Sequence, residues 1–221
     1  MTYELYKFLD LPQPPKELLD AIDLDRDPSL PVKEKRMELG IFVHRQIQWQ
    51  GYDYAAAANV RTKNDLVKQW IIENISDDFV DAGVNYTFVV DKPDGLSAYS
   101  TGAHTDITRD YTLIYLIQTG GDAPPTVFWQ EDGQELIRPP KTQGTDLNKL
   151  KFVDSVTIPL NTWCIIDSRI LHSVENLTST RVAIQVGFLK NHYRDVWNTQ
   201  PVIDLRQKGP DYNDPDYDSK Y

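Results

Sequence analysis

Two of the four histidines stand in company that could do chemistry. In SAYSTGAHTDITRDYTLIYL, a single residue separates His104 from Asp106. On extended backbone such a pair projects from one face, so an imidazole and a carboxylate can converge on one ion. A third ligand stands well downstream, where His172 closes the apolar run in IIDSRILHSVEN. Two imidazoles and one carboxylate on one face of an octahedron leave three positions open. That donor set suits non-haem iron(II) and reactions that need vacant positions for a co-substrate and O₂. A lone His-x-Asp is common by chance, and a lone histidine at a strand end is more often structural. The joint pattern carries the reading.

Arg181 extends it. The stretch Glu175-Asn176-Leu177-Thr178-Ser179-Thr180 between His172 and Arg181 is rich in turn formers. It predicts a hairpin-like return that sets Arg181 at the start of the next strand, beside the metal face. A buried arginine is costly unless an anion pairs with it, and its planar fork suits a carboxylate. The other candidates read as structural. His44 in GIFVHRQ and His192 in KNHYRD are expected to be structural or exposed, Trp129 and Trp163 to be packing residues, and Cys164 to be a small core residue.

These residues need elements to hold them. From about residue 84 to 190, short β-prone runs follow one another: Asn85–Val90, Tyr111–Ile117, Thr126–Trp129, Lys151–Ile158, Thr162–Ile166 and Arg181–Leu189. Turn signals divide them, among them Pro93-Asp94-Gly95, Gly120-Gly121, Asp132-Gly133 and Pro139-Pro140. Many short strands punctuated this way predict a mainly β sandwich or barrel rather than alternating α/β units. Residues 1–80 read as mixed and partly helical. Pro14-Pro15 opens an amphipathic run with Leu18, Leu19 and Ile22. Asn64 caps a second with Leu66, Val67, Trp70, Ile71 and Ile75 at helical spacing. The alternation in Gln46–Gln50 predicts a strand. Residues 191–221 are polar and end in an acidic, proline-broken stretch, expected to lie on the surface or to be disordered.

The chain has 221 residues, which suits one domain over 1–221 with peripheral decoration, and that length needs no disulfide to fold. The single cysteine fits a reducing compartment. With 23 basic against 33 acidic residues the net charge is −10, and no basic stripe offsets it, so nucleic acid is a disfavoured partner. No apolar stretch is long enough to span a membrane, and the N-terminal residues do not read as a secretory signal. A cytoplasmic address is expected. The sequons at Asn74, Asn85 and Asn176 then read as chance matches.

The order His104-x-Asp106, a long interval, His172, then Arg181 resembles the Fe(II)/2-oxoglutarate-dependent dioxygenases. Thr162–Asp167 leading into His172-Ser173-Val174 is similar to the strand pair that carries the distal histidine in that superfamily. The resemblance covers about residues 85–190. It implies a double-stranded β-helix (a jelly-roll, cupin-like core) with N-terminal α-helices packed outside. It also implies His104, Asp106 and His172 as iron(II) ligands and Arg181 as the partner of the distal carboxylate of 2-oxoglutarate. A hydroxyl on the strand after His-x-Asp often assists that carboxylate in the family; Tyr115 is the nearest candidate, with Tyr111 behind it on the same strand face. The implied reaction consumes O₂ and 2-oxoglutarate, releases succinate and CO₂, and oxidises a small-molecule or peptidyl substrate. Because relatives that halogenate lack the carboxylate ligand, Asp106 favours hydroxylation or a related oxidation. The competing readings are a cupin-type metal enzyme that does not use 2-oxoglutarate, a binding module that has lost catalysis, and a ligand-binding sandwich with coincidental histidines. Arg181 weighs against the first, and the complete ligand set against the second.

Overall fold

The computed structural model describes residues 4–24, 41–43, 48–49, 52–53, 57–62, 64–89, 100–106, 108–137 and 149–189. His44, His192, Pro93-Asp94-Gly95, Pro139-Pro140 and the extension 191–221 lie outside them. The described chain is mainly β. Its largest unit is a seven-stranded antiparallel sheet in the order β1 (Tyr6–Leu9), β10 (Trp163–Asp167), β7 (Tyr111–Thr119), β12 (Arg181–Phe188), β6 (Asp81–Val89), β5 (Ala57–Thr62), β2 (Ile41–Val43). A second sheet has the order β11 (Leu171–Val174), β8 (Thr126–Glu131), β9 (Leu150–Val156). β3 (Gln48–Trp49) pairs antiparallel with β4 (Tyr52–Asp53). The described helices are α1 (Lys16–Asp20) and α2 (Asp65–Asn74). Among the described residues no helix is long and apolar enough to cross a membrane.

Strand alternation decides what each face of the large sheet does. Leu113 and Tyr115 of β7, Trp163 and Ile165 of β10, and Val182, Ile184 and Val186 of β12 pack against Leu18 of α1, Ile22 just beyond it, and Val67 and Ile71 of α2. The intervening residues point the other way. Ile114 and Leu116, Cys164 and Ile166, and Ala183 meet Phe128 of β8 and Val156 of β9 in a second core between the sheets. Each fully buried Val, Leu, Ile or Phe in these layers contributes roughly 1.5–3 kcal/mol. A sheet covered on both faces reads in sequence as a continuous apolar run, as YTLIYLI of β7 does.

Three differences from the sequence reading concern how elements are joined. The mixed, partly helical N-terminal residues also build the large sheet: β1 pairs with β10 at one edge, and β5 with β2 extends the other. The stretch after His172 is not a hairpin return, because β11 and β12 belong to different sheets. It crosses from one sheet to the other, turning at Asn176 with φ 60°. β6 begins at Asp81, ahead of the β-prone run, because Asp81-Ala82-Gly83 are drawn into the ladder with β12. The expected helix start is present: Asn64 Oδ1 accepts from the Val67 N–H at 3.1 Å.

Candidate metal centre

Residues 101–106 lie alongside β11 on the side away from β8. Thr101 N–H bonds the Val174 carbonyl at 3.0 Å, and Asp106 N–H bonds the Ser168 carbonyl at 2.9 Å. Between these, His104 and His172 exchange both backbone hydrogen bonds, at 3.0 and 2.9 Å. Residues paired in that way stand directly opposite, and the two imidazoles meet with centroids 4.6 Å apart. A local pairing thus brings together candidate ligands far apart in the chain. One donor atom each from His104, Asp106 and His172 lies within 4.8 Å of the other two.

Both imidazoles are oriented by backbone carbonyls. Nδ1 of His104 is 2.8 Å from the Gly102 oxygen, and Nδ1 of His172 is 2.9 Å from the Ile170 oxygen. A proton held on Nδ1 leaves Nε2 with the lone pair, the tautomer a metal needs. Burial, and then the neighbouring His172, pushes the His104 imidazole down to about 4, so its neutral form prevails at physiological pH. For Asp106 burial alone would raise the carboxyl. The Arg109 guanidinium, and then the two histidines, more than reverse this and hold it well below the usual carboxylate range. Its Oδ2 accepts from Arg109 Nε at 2.7 Å and from Thr112 Oγ1 at 2.8 Å, and Thr112 is tied in turn to Ser168 Oγ at 2.6 Å. Two backbone-oriented imidazoles and a committed carboxylate make a donor set that fits a divalent transition metal with open positions.

The three residues line a cavity of about 380 Å³ between the two sheets. Across it, on the large sheet, stands Arg181, the first residue of β12 as the sequence reading placed it. It is 5% exposed, and its guanidinium has one long hydrogen bond, Nη1 to the Pro124 carbonyl at 3.4 Å. No carboxylate pairs with it among the described residues. Burial lowers this guanidinium to about 10. Thr126, two residues beyond Pro124, also lines the cavity, and its buried hydroxyl has no hydrogen-bond partner among the described residues. A buried cation with slack hydrogen bonding and an orphaned hydroxyl fit an anionic guest.

Tyr111 and Tyr115 are not brought to the cavity. They share a face of β7, as the alternation requires, but that face packs under the helices. Tyr111 OH accepts from Arg169 Nη2 at 3.1 Å, and Tyr115 OH donates to Asn161 at 3.4 Å. The residues of β7 that reach the cavity are Thr112 and Ile114, of the opposite parity. Sequence reasoning passed over Arg109, Thr112, Thr126 and Ser168. The strand alternation of β7 signals Thr112; nothing local signals the others. Trp163 is fully buried, stacked on Trp70 and bonded to the Pro12 carbonyl at 2.9 Å, and Cys164 is fully buried in the inter-sheet core.

No protein-family model matches the chain, and no curated protein matches it. Among solved structures, it is similar to an oxidoreductase of the 2OG-Fe(II) oxygenase family from Burkholderia pseudomallei. That match has 8% identity, spans 71% of this chain and 76% of that one, and has a TM-score of 0.38. At that level the likeness decides neither fold nor function, and the weight falls on the site itself.

Proposed function

We propose that the chain is a non-haem iron(II) and 2-oxoglutarate-dependent oxygenase with a double-stranded β-helix core, acting in the cytoplasm on a small-molecule or peptidyl substrate. The carrying observation is one cavity with His104, Asp106 and His172 on one wall and buried Arg181 across from them. In this reading His104 and His172 offer Nε2 and Asp106 offers Oδ1, while Oδ2 stays bound by Arg109 and Thr112. Arg181 takes the distal carboxylate of the keto acid, and Thr126 supplies the assisting hydroxyl that Tyr111 and Tyr115 do not. Iron with bound 2-oxoglutarate would supply O₂ activation for oxidising a substrate C–H bond, with succinate and CO₂ as co-products. Ile114, Ile166 and Val174 give that space apolar walls, which exclude water and strengthen the charge pairing at Arg181.

Succinate formation tests the reading. Protein reconstituted with iron(II) is expected to convert 2-oxoglutarate slowly to succinate without substrate and faster with a correct one from a candidate panel. No succinate above a His172→Ala control, across the panel, would overturn it.

A further inference from the structure

Asp106 can present either oxygen to a metal, and the structure binds only one of them. Arg109 Nε and Thr112 Oγ1 both donate to Oδ2, and among the described residues no donor reaches Oδ1. Arg109 is itself held in place. Its side chain is 13% exposed, and Nη1 reaches Asp81 Oδ1 of β6 at 3.5 Å. To span from Asp106 to Asp81 it crosses β12 at Gly187, the residue that pairs with Asp81 on one side and Thr112 on the other. A Cβ at Gly187 would strike Asp81 Oδ1 and stand 2.7 Å from Arg109 Cδ. The glycine is needed there for space, not for backbone conformation: its φ is not positive.

We propose that Arg109, laid across Gly187 and braced by Asp81, is a positioning residue that turns Oδ2 of Asp106 away from the metal and leaves Oδ1 as the donor. This rests on the metal reading above. The competing role is structural: an ion pair that merely fastens the segment after Asp106 to the large sheet. The two differ in sign as well as size. Removing a cation beside a dication site by itself strengthens metal binding, because it removes like-charge repulsion. Loss of an orienting partner weakens it, by roughly 10–100-fold where such partners have been removed from metal sites. Weaker binding in an Arg109 variant therefore reports orientation.

The experiment is Mn(II) titration of the full chain, following the paramagnetic resonance signal of free Mn(II), beside thermal unfolding without metal. Arg109→Gln deletes the charge and the fork. Gly187→Ala keeps the charge but evicts the arginine, meeting side-chain ends that can move. Asp81→Asn removes the charge from the brace at its partly exposed end while keeping the side-chain shape. Arg109→Gln and Gly187→Ala are expected to weaken Mn(II) about tenfold or more. Asp81→Asn should weaken it less, in the same direction. Mn(II) affinity at or above the parental value in whichever of these variants fold would overturn the positioning role, whatever their unfolding temperatures do. A parental protein that takes up no Mn(II), Fe(II) or other divalent metal would refute the metal reading itself.

Discussion

Thr126 and Arg181 face the same cavity, and each carries a polar group the protein leaves poorly satisfied. A buried hydroxyl without a partner costs about 1–3 kcal/mol. Thr126→Val keeps the shape and removes that group, so the metal-free protein should be stabilised by about 1 kcal/mol, which raises Tm by roughly 2–4 °C for a chain of this size. If the hydroxyl donates to a bound carboxylate, the same variant should lose about tenfold or more in 2-oxoglutarate affinity, since such bonds are worth roughly 1.5–3 kcal/mol. Thermal unfolding and keto-acid titration on one preparation check both signs. Arg181→Met should act on the ligand alone. Leaving the carboxylate unpaired costs on the order of 2–5 kcal/mol, so 2-oxoglutarate affinity should fall roughly thirtyfold or more while iron(II) affinity stays near parental. Arg181→Lys should be intermediate, keeping charge without the fork. A parental keto-acid curve for Arg181→Met would move the carboxylate site elsewhere.

Two elements set these residues, and they fail differently when disturbed. The turn after β7 brings Gly120, with φ 84°, against the stretch before β12, where Thr178 and Ser179 N–H groups bond its carbonyl at 2.8 and 3.0 Å. A Cβ there would lie 2.7 Å from Leu177 Cδ2, 2.8 Å from Arg181 Cβ and 3.2 Å from Arg181 Cα. Gly120→Ala is therefore expected to strain the left-handed backbone by roughly 1–2 kcal/mol and to shift Arg181. Lower Tm should come with weaker keto-acid binding and little change in metal affinity. Asn64→Ala, which removes the cap of α2, should cost about 1 kcal/mol of stability and leave both ligands' affinities alone. The contrast separates damage near Arg181 from damage to the helix layer. Much at this scale was legible: β7, β8, β9, β10 and β12 follow β-prone runs between turn signals, and the Asn64 cap is where the sequence puts it. β1 and β5 were not. YKFL and AANVRT alternate over only three or four residues, too few to mark a strand, and their strand state comes from pairing with β10 and β6.

At the scale of the molecule, two sheets enclose one cavity, and chemistry from distant parts of the chain meets there. The candidate ligands could be read because residue type and order are local facts. The assisting hydroxyl could not. Both faces of β7 are buried, so its apolar run hides which parity faces inward, and Tyr111 and Tyr115 fell on the helix side. Thr126 and Arg109 were silent for a related reason: their proposed roles depend on how the second sheet and Gly187 are placed against them. In the proposed function His104, Asp106 and His172 act as one site that also receives a keto acid. Anaerobic titration of iron(II), with and without 2-oxoglutarate, tests this most directly by following the metal-to-ligand charge-transfer absorption that arises when the keto acid chelates iron. The expected result is one iron per chain, a band that needs both iron and keto acid, and loss of both metal uptake and band in His172→Ala. No band in the parental protein, or a parental band in His172→Ala, would contradict it.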